Sequence, residues 1–87
     1  MKIGKIEAVK ATTSPKDLDI SYRQFVIQNL SEAAVVYFKE KSSDGKNATQ
    51  ANGFALQPGE TMDMLLRART LSIVASAEAD VRVMYIE

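Results

Sequence analysis

The sequence of 87 residues contains no cysteine, no histidine and no tryptophan. Without cysteine the chain has no disulfide framework and no thiolate nucleophile, and the lack of disulfides favours synthesis in the cytosol. Without histidine it lacks the commonest general base and, together with cysteine, the usual ligands of transition metals. We therefore expect no metal site, no cofactor and no catalytic residue.

Net charge and long apolar runs are also lacking. Eleven basic residues balance eleven acidic ones, so electrostatics offers no reason for nucleic acid or an anionic lipid surface to be the ligand. Residues 1–7 show no signal-peptide pattern, and no segment approaches the length of a transmembrane helix. We therefore expect no nucleic-acid partner and no membrane partner.

Two turn signals organise the middle of the chain. Asn52-Gly53 tolerates positive φ, and Pro58-Gly59 is typical of a type II turn. Between them Phe54 and Leu56 alternate with smaller or polar residues, which indicates a very short strand with two apolar anchors.

Short alternating segments recur along the rest of the chain, and no segment shows a sustained 3.6-residue apolar period. The pattern predicts an all-β, antiparallel β-sandwich, jelly-roll or immunoglobulin-like, of seven or eight short strands in one domain over residues 1–87. Phe25, Ile27, Val36 and Phe38 are expected in the middle of the core, and Tyr85 is expected to point inward. Besides the first strand and the very short one that carries Phe54 and Leu56, the predicted strands are 22–30, 34–39, 61–66, 71–76 and 81–86, with residues 67–69 as a turn or exposed strand end.

The first 20 residues are expected to form an N-terminal arm or edge strand. A bulge at Gly4 would place Ile6 and Ala8 on one face of this strand, and its lysines suit an edge. Residues 11–21 are expected to be a connection, from which Leu18 and Ile20 dip into the core. We hypothesise that residues 2–10 pair with a neighbouring subunit.

The outer faces of the predicted strands carry more apolar side chains than a uniformly polar surface would. Apolar residues on neighbouring outer strands form a patch that is typical of a protein interface. A one-residue slip in strand register would exchange the two faces. The predicted interface residues are Val26, Tyr37, Leu65, Val74, Met84 and Ile86.

Two other functions have candidate residues. Tyr22 and Tyr37, expected on adjacent strands beside the polar 47–52 loop, could form a carbohydrate-binding or adhesin-type module. Glu60 and Asp63 are the candidate carboxylate pair for a small hydrolase, but solvated surface charge is the preferred interpretation of both.

A series of motifs resembles small structural proteins of tailed bacteriophages. These are Val26-Ile27-Gln28-Asn29-Leu30, Val35-Val36-Tyr37-Phe38, the 52–60 stretch Asn-Gly-Phe-x-Leu-x-Pro-Gly-Glu and a closing strand beginning Asp80-Val81-Arg82-Val83. The similarity spans roughly residues 22–86. Lys39 stands where many such proteins carry a small residue or glycine, and a longer polar loop follows it.

This resemblance implies a non-enzymatic virion structural protein, most directly a capsid decoration or cement protein that stabilises the assembled head shell. The implied partner is the major capsid protein, and the implied state is a homo-oligomer, with a trimer favoured. The protein would be made in the host cytoplasm and lie on the outer surface of the capsid. A head–tail or tail component of the virion is the alternative location.

Overall fold

The structure is a computed structural model that describes residues 3–41 and 44–86, apart from the side chains of residues 3, 21–23 and 64–68. Its strands are β1 (Ile3–Ala11), β2 (Lys16–Asn29), β3 (Val36–Glu40), β4 (Phe54–Leu56), β5 (Thr61–Ala75) and β6 (Ala79–Ile86). No helix occurs in these residues, and so none there is long and apolar enough to cross a membrane.

Strands β2 and β5 are long enough to serve both layers of a sandwich. Residues 25–28 of β2 pair with residues 61–64 of β5, while residues 16–19 pair with residues 70–73, and the register is interrupted in between. Layer I consists of β1, β6, the second half of β2 and the first half of β5. Layer II consists of the first half of β2, the second half of β5, β3 and β4. The predicted antiparallel β-sandwich is therefore confirmed, with eight strand segments built from six continuous strands.

The core lies between the two layers, as the alternation predicts. Phe25 and Ile27 from layer I and Val36 and Phe38 from layer II are all at most 3% exposed, and Tyr85 is buried among them. The Cα atoms span only 16 Å in the thinnest direction, which accommodates two sheets about 10 Å apart but not a third.

Two strand boundaries differ from the prediction. β2 begins at Lys16 rather than at residue 22, because Leu18 and Ile20 are buried and residues 16–19 find a ladder partner in β5. β5 continues through residues 67–69, which were predicted to be a turn or strand end. Both errors have one cause. A strand that bends from one layer into the other continues through the corner, and its polar residues there were interpreted as the end of the strand.

The predicted bulge at Gly4 is confirmed, and so is the placement of Ile6 and Ala8 on one face of the strand. Ile3 is opposite Ile86 and Lys5 is opposite Tyr85, so one extra β1 residue lies between these pairs. Beyond the bulge, Val9 is buried, whereas Ile6 is 63% exposed. The face that Ile6 and Ala8 share is the outer one.

The two turns around β4 use glycine for different reasons. Gly59 has a φ of +78°, and the Glu60 N–H donates to the Gln57 carbonyl at 3.0 Å, which is the pattern of the predicted type II turn. Gly53 does not have positive φ, contrary to the expectation from Asn52-Gly53. An added Cβ there would lie 2.8 Å from Tyr37 Cβ, so Gly53 is required by close packing.

Asn29, predicted only as a strand end, is a fully buried polar centre. Its Nδ2 donates to the carbonyls of Ala34 at 2.8 Å and Leu56 at 3.0 Å, and its Oδ1 accepts from the Ser31 N–H at 2.9 Å. Its backbone also bonds to both residues of the 59–60 turn segment. Asn29 therefore attaches the β4 region to the end of β2.

Candidate protein-interaction surface

The structure divides the predicted interface residues between opposite sides of the sandwich. Val26, Met84 and Ile86 lie on the outer face of layer I, because each alternates with buried neighbours in its strand. Tyr37 and Val74 are directly opposite each other on the outer face of layer II. Leu65 belongs to β5, but its side chain lies outside the described residues. The six residues therefore do not form one patch.

Layer I carries an apolar row that crosses three strands. Ile6 on β1 is opposite Met84 on β6, and Met84 is opposite Val26 on β2. We call these three residues the layer I row. Met84 and Val26 are half-buried, whereas Ile6 has the highest exposure of the large apolar side chains described.

Ile6 is the member of this row that is not among the interface residues predicted from the sequence. Apolar residues at positions 3, 6 and 9 fit neither the helical nor the strand period. The bulge at Gly4 determines which of them points outward. The predicted bulge was the feature from which an outward-facing Ile6 could have been considered. An extra residue at Gly4 allows the following side chains to lie on either face of the sheet.

A shallow depression of about 350 Å³ lies beside the layer I row. Polar side chains on the next cross-strand row complete its wall. Arg82 and Gln28 are opposite each other there, and Thr61 is opposite Gln28. An apolar strip bordered by Arg82, by neutral polar groups and, opposite Val26, by Asp63 has the composition of an interface core with its rim. The lining residues are Ile6, Val26, Gln28, Thr61, Arg82 and Met84.

Val74 is a correction to the predicted interface, because it is only 5% exposed. It faces away from the core as expected, but residues 44–53 form a loop over this face of layer II. The Ala48 N–H donates to the Oγ of buried Ser72 at 2.9 Å, and Ala48 itself is 1% exposed. The loop therefore acts as a cover that the polar sequence of the segment did not predict.

The structure also separates the residues expected to bind a carbohydrate. Tyr37 lies on β3, and β5 stands between β3 and β2, which carries Tyr22. The side chain of Tyr22 lies outside the described residues, and Tyr37 is half-buried with Gly53 packed closely beside it. The expectation of adjacent strands is therefore wrong, and no sugar-stacking platform is assembled in the described residues.

The covering loop is held by an ion pair at its start. Lys39 Nζ lies 2.6 Å from Asp44 Oδ1, which also accepts the Lys46 N–H at 2.9 Å. The bond from Lys39, followed by that from the Lys46 backbone, lowers the pKa of Asp44 below its ordinary value of 3.8. These interactions stabilise the turn at Gly45, where φ is +70°.

This lowered pKa predicts that the loop is sensitive to acid. A carboxyl whose pKa is lower in the folded state stabilises the fold above its unfolded pKa and loses that contribution as pH falls through the folded pKa. We expect the loop amides to shift in NMR spectra as the pH falls below 3.8, in step with Asp44 protonation. Lys39→Met should raise the pKa of Asp44 towards 3.8. An Asp44 that titrates at its ordinary pKa in the unsubstituted chain would contradict this.

Other candidate sites have little support in the geometry. Glu60 accepts the Gln57 N–H at 2.9 Å and so closes its own turn, and Asp63 is an exposed residue opposite Val26. Within residues 3–41 and 44–86, apart from the side chains excluded above, no group of three or more acidic side chains is arranged to hold a metal ion.

Comparisons with known proteins identify a shared fold. No protein family and no curated protein matches the chain. Among solved structures it is similar to Streptomyces albus HEPD, determined with its substrate 2-hydroxyethylphosphonate and Fe(II) bound, with a TM-score of 0.60 and 17% sequence identity. The match covers 93% of this chain but spans only 18% of the HEPD chain.

This match corrects the prediction that the chain is not an enzyme. HEPD has a substrate and Fe(II), and part of it has the same sandwich fold, so this fold is compatible with catalysis. At 17% identity the likeness shows the fold alone, because unrelated functions are built on one fold. The bound substrate and the Fe(II) are therefore properties of HEPD and are not assigned to this chain.

Proposed function

We propose that this chain is a docking module that binds a folded protein through the outer face of layer I. The layer I row carries the proposal, because it places three apolar side chains in register on neighbouring strands, next to a polar depression. Burying such a face against a complementary surface removes apolar area from water at roughly 25 cal/mol per Å². Among the described residues the outer face of layer II has no equivalent row, since the 44–53 loop covers the surface above Ser72 and Val74.

The more specific form of the proposal is a capsid decoration protein, with the major capsid protein as its partner. It is supported by the resemblance of residues 22–86 to tailed-phage structural proteins and by the balanced charge, which favours no polyanionic ligand. A protein that binds the assembled shell more tightly than free subunits stabilises the shell by mass action. A head–tail or tail position on the virion would use the same face.

The binding face is tested by placing a charge in the row. Met84→Lys and Val26→Lys should each weaken binding to purified capsids by at least about tenfold, because burying an ammonium at an apolar interface is costly. Met84→Lys is the stronger test, because Asp63 is directly opposite Val26 and would partly offset the charge of Val26→Lys. Both side chains are only half-buried, so a lysine can extend to solvent in the free protein. Binding is measured by co-sedimentation with capsids, and folding is checked by thermal melting.

Gln50→Lys is the matched control, since it adds the same charge to an exposed turn over layer II. It should bind as the unsubstituted chain does. Equal weakening by the control would show a general charge effect and contradict the proposed face. Unchanged binding by both layer I variants would exclude this face as the capsid-binding surface. Mass spectrometry of purified particles tests the virion assignment separately, because a decoration protein should approach the copy number of the major capsid protein.

A further inference from the structure

Strand β1 has one edge without a strand partner. It is the first strand in the hydrogen-bonded order and pairs with β6 alone among the described residues. About every second residue of the nine in Ile3–Ala11 therefore presents its backbone N–H and C=O to the open side. An unpaired strand edge is a template for another strand, and proteins commonly protect it with charges that reach across it.

Lys10 is held on its own sheet and does not protect this edge. Its Nζ lies 3.3 Å from Glu78 and 3.5 Å from Asp80, and Asp80 is opposite Lys10 on β6. The hydrogen bond and charge of Glu78, with a smaller contribution from Asp80, raise the pKa of Lys10. The lysine is therefore drawn towards β6 and away from the open side.

The remaining charges of the strand have opposite signs and flank Ile6. Lys5 Nζ lies 6.0 Å from the centre of the Tyr85 ring, and the Tyr85 hydroxyl donates to Glu7 Oε1 at 2.7 Å. Both side chains therefore belong to the face opposite that of Ile6. A carboxylate accepts several hydrogen bonds, so one bond from tyrosine leaves Glu7 able to pair with a cation.

We propose that the open edge of β1 binds β1 of a second copy of this chain, antiparallel, about a two-fold axis at Ile6. Directly opposite residues of an antiparallel pair share one face of the sheet. With the axis at Ile6, Lys5 of each copy is opposite Glu7 of the other, which forms two symmetry-related ion pairs. Ile6 is then opposite Ile6 of the second copy.

Charge selects this register from the neighbouring ones. An axis at Lys5 would oppose two lysines, and an axis at Glu7 would oppose two carboxylates. An axis at Ala8 or Val9 would leave both Lys5 and Glu7 opposite uncharged residues. Within Ile3–Ala11, only the axis at Ile6 pairs unlike charges among these five positions, and like charges directly opposite are destabilising. The position opposite Lys10 is then residue 2, a lysine that lies outside the described strand.

The pairing would also extend the binding face described above. A two-fold axis perpendicular to the sheet places the outer faces of both copies on the same side. The two layer I rows then meet at Ile6 and form one continuous apolar row of six residues. The dimer itself does not depend on the proposed docking function, and its test needs no capsid.

The two-fold dimer differs from the trimer that the phage resemblance implies. A ring of three copies joins two different surfaces of each copy, so β1 would pair with another edge rather than with itself. Sedimentation equilibrium across a dilution series distinguishes the two arrangements. A reversible monomer–dimer equilibrium supports the proposal, and a trimer or a monomer at all concentrations overturns it.

Cysteine cross-linking tests the register, because the natural chain has no cysteine. Opposite residues have Cα atoms about 4.5–5.5 Å apart, so Ile6→Cys should give a disulfide-linked dimer on mild oxidation. Ala8→Cys is the matched control on the same face. The two cysteines of an Ala8→Cys dimer would lie about 13 Å apart along the strand direction, which is beyond the range of a disulfide. Equal cross-linking of both variants, or of Ala8→Cys alone, would overturn the register.

A charge exchange tests the ion pairs. Lys5→Glu and Glu7→Lys should each weaken dimerisation by about tenfold or more, because each creates two like-charge pairs per dimer. The double exchange should restore the dissociation constant to within about twofold. Lys16→Glu, the same change on an exposed residue of β2, is the control and should leave dimerisation unchanged. Failure of the double exchange in a chain that still melts cooperatively would overturn the proposed pairs.

Discussion

Replacing Asn29 with alanine should lower the free energy of unfolding by about 3–4 kcal/mol, the largest loss expected from a single substitution described here. The change removes two bonds to the carbonyls of Ala34 and Leu56 and one from the Ser31 N–H. Both carbonyl bonds are buried, so water does not readily replace the amide. For a domain of this size the loss corresponds to a melting temperature lower by about 15 °C.

Urea denaturation of Asn29→Ala and Gln28→Ala measures this effect against a neighbour. Gln28 is half-buried on the outer face of the same strand, and its truncation should change stability by less than about 0.5 kcal/mol. Asn29→Asp should also be strongly destabilising at neutral pH, since its carboxylate would face two carbonyl oxygens. A loss for Asn29→Ala no larger than that for Gln28→Ala would mean that the three bonds contribute little to stability.

Replacing Gly53 with alanine should cost about 2–3 kcal/mol of stability. The added methyl would lie 2.8 Å from Tyr37 Cβ, 2.9 Å from the Thr49 carbonyl and 3.3 Å from the Phe38 nitrogen. These atoms belong to or adjoin the backbone, so relief requires the loop to move away from β3. That movement would also strain the bond from the Gly53 N–H to the Thr49 carbonyl, which is 2.9 Å long.

Gly59→Ala is the comparison that separates crowding from backbone strain. Gly59 has open space around its Cα but a φ of +78°, so alanine there should cost only about 1 kcal/mol. The chevron plots or urea curves of the two variants should therefore differ clearly. Equal losses would indicate that the loop yields at Gly53 and that its packing on Tyr37 is loose.

The two outer faces of the sandwich differ in the apolar surface that they leave open, and the proposed docking surface depends on this difference. The loop over layer II occupies the surface above Ser72 and Val74, whereas the layer I row remains open to solvent at Ile6. The β1 edge continues the same face laterally. The proposed docking through layer I and the proposed pairing through β1 would therefore use adjoining surfaces without competing for them.

The layer I row also shows what alternation within a strand predicts about the position of a side chain and what it misses. Val26 and Met84 were identified from alternation within their own strands, which is a local signal. Their alignment with Ile6 depends on a bulge one strand away. Val74 was assigned to the correct face by the same local rule, but a distant loop buries it.

By itself the sequence determined the fold class, the apolar residues at the core centre, the bulge at Gly4 and the turn at Pro58-Gly59. Each of these follows from alternation or from local backbone preference, which need no knowledge of distant residues. Tertiary structure alone decided that β2 and β5 each serve two layers, that the 44–53 loop covers Val74, and that Asn29 is a buried polar centre. These features depend on contacts between segments that are far apart in the sequence. A local pattern of residues does not indicate which distant segment it will contact.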